Sequence, residues 1–204
     1  MEAPIAARLT ALRRLNILET EPEASFDSLV GLAARMFSAP ISAFSLLDGD
    51  RQWFKSRIGI APPETPLAVS FCTHTLASGD EVYEITDASA DARFEGNPLV
   101  WGEIGIRYYL GAVIRCPDGE PVGTLCVLDT IARPPIGSEG RSQMRSLACA
   151  VEDALRLRVE LYLRREAEAR LTKSEASYRM LANHCHDILV RADRTGVITY
   201  VSPS

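Results

Sequence analysis

Two strand-like pairs, each folded back by strong turn residues, constrain this chain most. ISAFSLLD at 41–48 and QWFKSRIG at 52–59 flank Asp48-Gly49-Asp50. YYLGAVIR at 108–115 and EPVGTLCVLD at 120–129 flank Cys116-Pro117-Asp118-Gly119. Glycine accepts the positive φ that tight hairpin turns need, and the aspartates bond their own backbone. Each pair therefore predicts a β-hairpin, and a chain built on two hairpins folds around an antiparallel sheet.

The segments around them alternate between helix and loop. Residues 5–18 place Ile5, Leu9, Leu12 and Leu15 at helical spacing. Thr20 and Glu23 fit a capping box for a helix over about 23–38, which Pro40 ends. Three prolines between Ala61 and Pro66 predict loop. Ser70 can cap a short helix, FCTHTLAS, that Gly79 closes, and VYEI at 82–85 is a short strand. The stretch after Asp87 is polar turn. From Ser138 to about Leu171 no proline interrupts, so a long helix is expected, with Met144, Leu147, Val151, Leu155, Val159 and Tyr162 on one stripe. The last residues predict a helix end, a strand, a turn at 193–196 and a second strand.

Composition excludes several classes. At 204 residues, with 47% hydrophobic and 24% charged, the chain can bury a core. A net charge of -5 argues against a nucleic-acid surface. No apolar run is long enough for a membrane span, and the start lacks a signal-peptide pattern. Five cysteines without a CxxC pair disfavour disulfide scaffolds and zinc fingers. The chain reads as cytoplasmic and thiol-reduced.

The segments LNILETEPEASFD, SLLDGDRQWFKSRIG, ETPLAVSFCTHTL, DARFEGNPLV, GIRYYLGAVI and PVGTLCVLD, in that order, resemble a GAF domain of the kind found at the front of bacterial sensor histidine kinases and diguanylate cyclases. The resemblance covers roughly residues 5–160. It implies an α+β fold: a GAF-like antiparallel sheet with helices on its faces, a ligand-sized cavity on one face, and a long C-terminal signalling helix. SEASYRMLANHCHDILVRADRTGVITYVSPS resembles the start of a PAS domain. The expected organisation is a sensor domain over 1–160, a helical linker over 161–175 and a PAS start over 176–204, with the output domain absent from this sequence.

By the resemblance, the helix beginning at Ser70 overhangs the cavity. Trp53, Phe71, Cys72, His74, Thr75, Arg107 and Tyr109 are the candidate ligand contacts. Cys72 and His74 are two apart, so on a helix they diverge and cannot share a metal. If Trp53 and Tyr109 face the cavity, strand alternation sends Phe54 and Tyr108 to the other face, and a register one residue out reverses this. Arg107 can pair with a ligand carboxylate or phosphate, while Asp91 and Arg93 stitch their own loop together. A covalent bilin needs cysteine followed by histidine, and Cys72-Thr73-His74 departs from that, so no covalent chromophore is expected and the cofactor stays unknown. Methionine sulfoxide reductases of GAF fold carry a nucleophilic cysteine before the second hairpin, and DARFEGNPLVWGEIGIRYY has none. Cys126, inside TLCVL, reads as a buried inert thiol. His184-Cys185-His186 looks metal-like but lacks carboxylate support.

The expected function is that of a sensory or regulatory module, not an enzyme in itself. It would sense an unidentified small molecule and signal through a homodimer in which Leu147, Val151, Leu155, Val159 and Tyr162 form the seam. The alternatives are a dimerisation domain that binds nothing and, more remotely, a GAF-fold cysteine reductase.

Overall fold

Both predicted hairpins are present, and they join into one sheet. A computed structural model of the chain describes residues 2–184 and 190–201. The chain divides into two compact units, Met1–Leu157 and Arg158–Ser204. The first unit holds strands β1 (Ile41–Asp48), β2 (Arg51–Ile58), β3 (Glu64–Pro66), β4 (Val82–Ile85), β5 (Tyr108–Arg115) and β6 (Pro121–Asp129). Their lateral order is β3-β2-β1-β6-β5-β4. Every neighbouring pair is antiparallel, and β1 against β6 fuses the hairpins. The proline-rich loop ends in β3, which was not anticipated. An edge strand tolerates proline because one side of its backbone needs no partner.

Helix α1 (Glu2–Leu15) and helix α2 (Ala24–Met36) precede the sheet. On α2, Phe26, Val30 and Ala33 are buried at steps of four and three, the apolar face of a helix. The Phe26 ring packs on Phe44 of β1 with centroids 5.2 Å apart. The capping box did not form. Residue Glu23 is the N-cap and makes no side-chain cap bond. Instead the Lys55 ammonium donates to Thr20 Oγ1 at 2.8 Å and to the Glu21 carbonyl at 2.6 Å, and pairs with Glu23 at 2.8 Å. A buried ammonium needs such company, and it takes the oxygens a capping box would have used.

Helix α3 (Phe71–Ser78) has the predicted caps: Ser70 accepts from the Cys72 N–H, and Gly79 is left-handed at φ 80°. A short helix α4 (Pro98–Trp101) follows, capped by Asn97. Helix α5 runs unbroken over Gly137–His184. In its first turns Arg145 donates to the Val113 carbonyl and pairs with Glu152, whose carboxylate accepts the Arg115 N–H. These bonds tie α5 to β5.

This seating corrects part of the expected dimer seam. Leu147, Val151 and Leu155 are buried within the first unit itself, together with Met144 and Ala148. Their stripe is spent on the chain's own core and leaves nothing there for a partner. Val159 is half-buried and Tyr162 is exposed.

In the second unit, β7 (Val190–Ala192) and β8 (Ile198–Val201) form an antiparallel pair. The turn between them is held by Asp193, which accepts the N–H groups of Thr195 and Val197. Cys185 and His186 of the His184-Cys185-His186 run lie outside the described residues. Among the described residues no group of His, Cys, Asp and Glu is placed to hold a metal.

Candidate functional site

Strand alternation sorts the sheet residues into two faces. On the face toward α3, the ladders place Ile85, Tyr109, Leu128 and Ile41 in one row and Gly111, Cys126 and Ala43 in the next. A third row holds Val113, Thr124, Ser45 and Phe54. The middle of this face is therefore made of small or polar side chains. Gly111 matters here, because a Cβ at that position would lie 2.1 Å from the Tyr109 hydroxyl. The missing side chain lets the Tyr109 ring fold along the sheet toward α3.

Helix α3 lowers its buried face onto this floor. Phe71 stacks on Phe94 at 4.4 Å and on Tyr109 at 5.5 Å. The Cys72 sulfur accepts from Thr124 Oγ1 at 2.9 Å, from Ser45 Oγ at 3.3 Å and from the Tyr109 hydroxyl at 3.6 Å. Thr75, one turn on, bonds the Tyr109 hydroxyl at 2.6 Å, and Ser45 and Thr124 are 3.0 Å apart. The Cys126 thiol also lies within hydrogen-bonding reach of Cys72. Cys72, Thr75, Ser45, Thr124, Tyr109 and Cys126 are all buried.

This arrangement sets the charge on sulfur. Burial opposes ionisation of Cys72, but donors from Cys126, Ser45, Thr124 and Tyr109 together outweigh it and bring the thiol down to about 6. The neighbours shift the opposite way. The bond to Cys72, then burial, raises Cys126 well above the ordinary thiol range. Burial, then the charge on the two sulfurs, raises Tyr109.

Beside this cluster lies a cavity of about 60 Å³. Phe71 and Cys72 form its roof, and Gln52, Phe54, Tyr109 and Leu128 its floor. Ile60, Pro62 and Thr65 close one side, and Leu99, Ile104 and Ile106 the other. Most of the wall is apolar, with Gln52, Thr65, Cys72 and Tyr109 as its polar members.

Of the predicted contacts, Phe71, Cys72 and Tyr109 line this cavity, and Thr75 holds Tyr109 from behind. Three placements need correction. Trp53 is on the opposite face, where alternation puts it beside Lys55, and Phe54 takes its place at the cavity. The pairing Ser45↔Phe54 continues the turn register of Asp48↔Arg51, and the bulge between Phe44 and Ser45 shifts only the pairs beyond it, so the facing of the whole hairpin puts Phe54 on the α3 side. His74 turns outward against Phe94, with ring centroids 4.9 Å apart, and burial, then the Arg93 charge, lowers its pKa. Arg107 donates to the Val100 and Ile106 carbonyls at 2.7 and 3.1 Å and lies over the Trp101 ring, so its guanidinium is committed to the loop. Asp91 and Arg93 do pair with one another. Sequence reasoning missed the hydroxyl pair Ser45 and Thr124, whose signal was two polar residues inside apolar strands. It also missed Leu99, in the one-turn helix α4, and Ile104 and Ile106 in the irregular backbone after it, segments too short to leave a periodic signal.

A sheet that packs helices on one face and shelters a cavity under a capped helix on the other defines a module of α+β class. The chain belongs to the GAF domain family, which it matches over residues 21–155. It is 35% identical over 142 residues to a cyclic di-GMP phosphodiesterase of Pseudomonas aeruginosa, covering 70% of this chain and 24% of that relative. The chain thus spans about a quarter of that relative's length. Among solved structures, it is similar to the GAF domain of an Acinetobacter phosphoenolpyruvate-protein phosphotransferase, with a TM-score of 0.54, 19% identity, and coverage of 73% of this chain and 92% of that one. It is also similar to the PixJ GAF domain of Thermosynechococcus elongatus, with a TM-score of 0.54, 16% identity, and coverage of 81% and 96%. A free methionine-R-sulfoxide reductase of Neisseria meningitidis matches with a TM-score of 0.52, 16% identity, and coverage of 76% and 90%. At these identities the structural likeness concerns the fold. Among the described residues no helix is long and apolar enough to cross a membrane.

Proposed function

We propose that this GAF domain is the sensory module of a cytoplasmic bacterial signalling protein, and that it reads a compact small molecule in the cavity under α3. The supporting observation is the cavity itself: an apolar wall that ends on a hydrogen-bonding cluster, the composition of a site that orients a ligand by one end. Occupancy would favour one packing of α3 against the sheet, and α5, bonded to β5, would carry that difference onward. The receiving unit begins as a PAS domain, for which the β7–β8 hairpin is the first piece. The output is a sensor histidine kinase or a cyclic di-GMP enzyme, the latter in keeping with the Pseudomonas relative.

The same reading includes a homodimer. Within the second unit α5 exposes Leu161, Tyr162, Leu163 and Leu171 among charged neighbours, and a second copy of the helix would cover them. Native mass spectrometry tests both parts. A dimer is expected, with a small added mass in each protomer, held or attached. Ile104→Trp, made from a partly exposed position at the cavity wall, should remove that mass and leave the dimer. A bare monomer at high micromolar concentration would overturn the proposal.

A further inference from the structure

Cys72 and Cys126 are two buried thiols whose own reactivity the cavity reading leaves unused. They approach each other from different elements, α3 and the central strand β6, and both are 1% exposed to bulk solvent. Only one of them faces the cavity: Cys72 is part of its wall and Cys126 lies behind it. The floor around Cys72 is lined with hydroxyl donors, Ser45, Thr124 and Tyr109, which stabilise charge on its sulfur.

We propose that Cys72 and Cys126 form a peroxide-reactive dithiol, in which Cys72 meets the oxidant through the cavity and Cys126 resolves it as a disulfide. The oxidant class is hydrogen peroxide and small hydroperoxides, because the space beside Cys72 admits only a molecule of a few heavy atoms.

The chemistry balances in two steps. The Cys72 thiolate attacks one peroxide oxygen, and the O–O bond breaks. Its electron pair leaves on the other oxygen, which takes up the proton that Cys72 had released and departs as water. Cys72 is then a sulfenic acid. The Cys126 sulfur attacks Cys72 Sγ, the S–S bond forms, and the S–O bond breaks. The departing hydroxide takes the Cys126 proton and leaves as a second water. Two thiols lose two electrons, and one peroxide gains them. The asymmetry of the pair suits this order. Cys72 walls the cavity among its hydroxyl donors, while Cys126 lies behind it and donates to the Ala43 carbonyl at 3.6 Å, so the attacking and resolving roles follow from position.

The other cysteines offer an internal comparison. Cys116 donates to Asp118 and to the Glu120 carbonyl, and burial together with the Asp118 carboxylate pushes its thiol up to about 12. It should be the slower thiol although it is nearer the surface of its hairpin. Cys149 is exposed on α5.

The inference rests on the cavity being the sensory site, but its test reads the thiols directly. The reduced 204-residue chain is exposed to hydrogen peroxide. Samples are denatured and alkylated at intervals and mapped by mass spectrometry. A linked Cys72–Cys126 peptide is expected to accumulate, roughly tenfold faster than oxidation at Cys116. With Cys126→Ala, the sulfenic acid should persist on Cys72 and be captured by dimedone. The rate should rise with pH through about 6, the Cys72 value. The proposal is overturned if Cys72 remains alkylatable while Cys116 or Cys149 oxidises, or if the disulfide forms elsewhere. That outcome would leave ligand binding, read by the added mass, standing. Conversely, oxidation without any added mass in the native protein would separate the thiol chemistry from the binding reading.

Discussion

Along β5, Tyr108, Leu110, Ala112 and Ile114 face the helices, while Tyr109, Gly111 and Val113 face α3 and the loops. The first set shares its face with Leu125 of β6 and with Phe44 and Leu46 of β1, on which Phe26 of α2 packs, all at or near zero exposure. The second set meets Ser45, Thr124, Cys126 and Ala43, which are short. Large side chains interdigitate and fill their layer, as a stable core requires. Short ones leave a hollow that α3 and two loops roof over without filling. One sheet thus packs large apolar side chains on one face and holds a polar cluster beside a cavity on the other. Helix α3 carries Cys72 and sits on the hollow face, where small rearrangements cost less.

The largest way to test this contrast is Phe44→Ala. The Phe44 ring is fully buried against Phe26, and its loss should cost about 3–5 kcal/mol in urea unfolding. The cavity face should not register it: Cys72 should titrate as before in the folded fraction. A loss below about 1 kcal/mol would mean the helical face is not the packed one.

A middle-sized effect comes from pH. The folded state holds Cys72 near 6, below the ordinary thiol value of 9.0. Between those values the unfolded chain binds the extra proton, so this contribution raises stability as pH rises and is lost as pH falls through about 6. His74 is lowered and stops contributing above its ordinary value of 6.5. Cys126 and Tyr109 are raised and act in the opposite sense only above their ordinary values of 9.0 and 10.0. From about pH 7 to 8.5 the slope belongs to Cys72, on the order of 1 kcal/mol per pH unit. Cys72→Ser should flatten it. An unchanged slope in that variant would show that the hydroxyls do not favour the thiolate.

How much of this contrast was legible in the sequence depends on the face. Turn chemistry placed both hairpins, and the caps Ser70 and Gly79 bounded α3, because these signals are local. The α2 stripe followed from helical period. The hollow face was only half legible. Tyr109 and Phe71 were found, but the choice between Trp53 and Phe54 turned on which face of the hairpin meets α3, which the turn register leaves open and only tertiary packing decides. Arg107 looked like an anion partner because its nearest acceptors, the carbonyls of Val100 and Ile106, exist only once the loop has folded. Leu147, Val151 and Leu155 of the expected seam lie in the core for a related reason: periodicity shows that a face is apolar, not whether the chain itself or a partner covers it.

The smallest effect distinguishes two neighbouring tyrosines. The Tyr109 hydroxyl joins Thr75 at 2.6 Å to the Cys72 sulfur at 3.6 Å, with no exposure to solvent. The Tyr108 hydroxyl, on the other face, bonds Glu84 at 3.0 Å. Tyr109→Phe keeps the ring that lies along Gly111 and removes only the hydroxyl, so the cavity wall should hold its shape. It leaves the buried Thr75 hydroxyl short of a partner, at a cost of about 1 kcal/mol. It also removes one of the donors that hold Cys72 toward its thiolate, so the Cys72 titration, followed by thiolate absorbance, should move up from about 6. Tyr108→Phe may be compared on the same footing in stability, since it too deletes one hydrogen bond. It should leave the Cys72 titration where it is, because no bond connects Tyr108 to the hollow face. If both variants shift the titration equally, the two faces communicate through the sheet and the division between them fails. If neither does, the Tyr109 hydroxyl is not part of the cluster that sets the charge on Cys72.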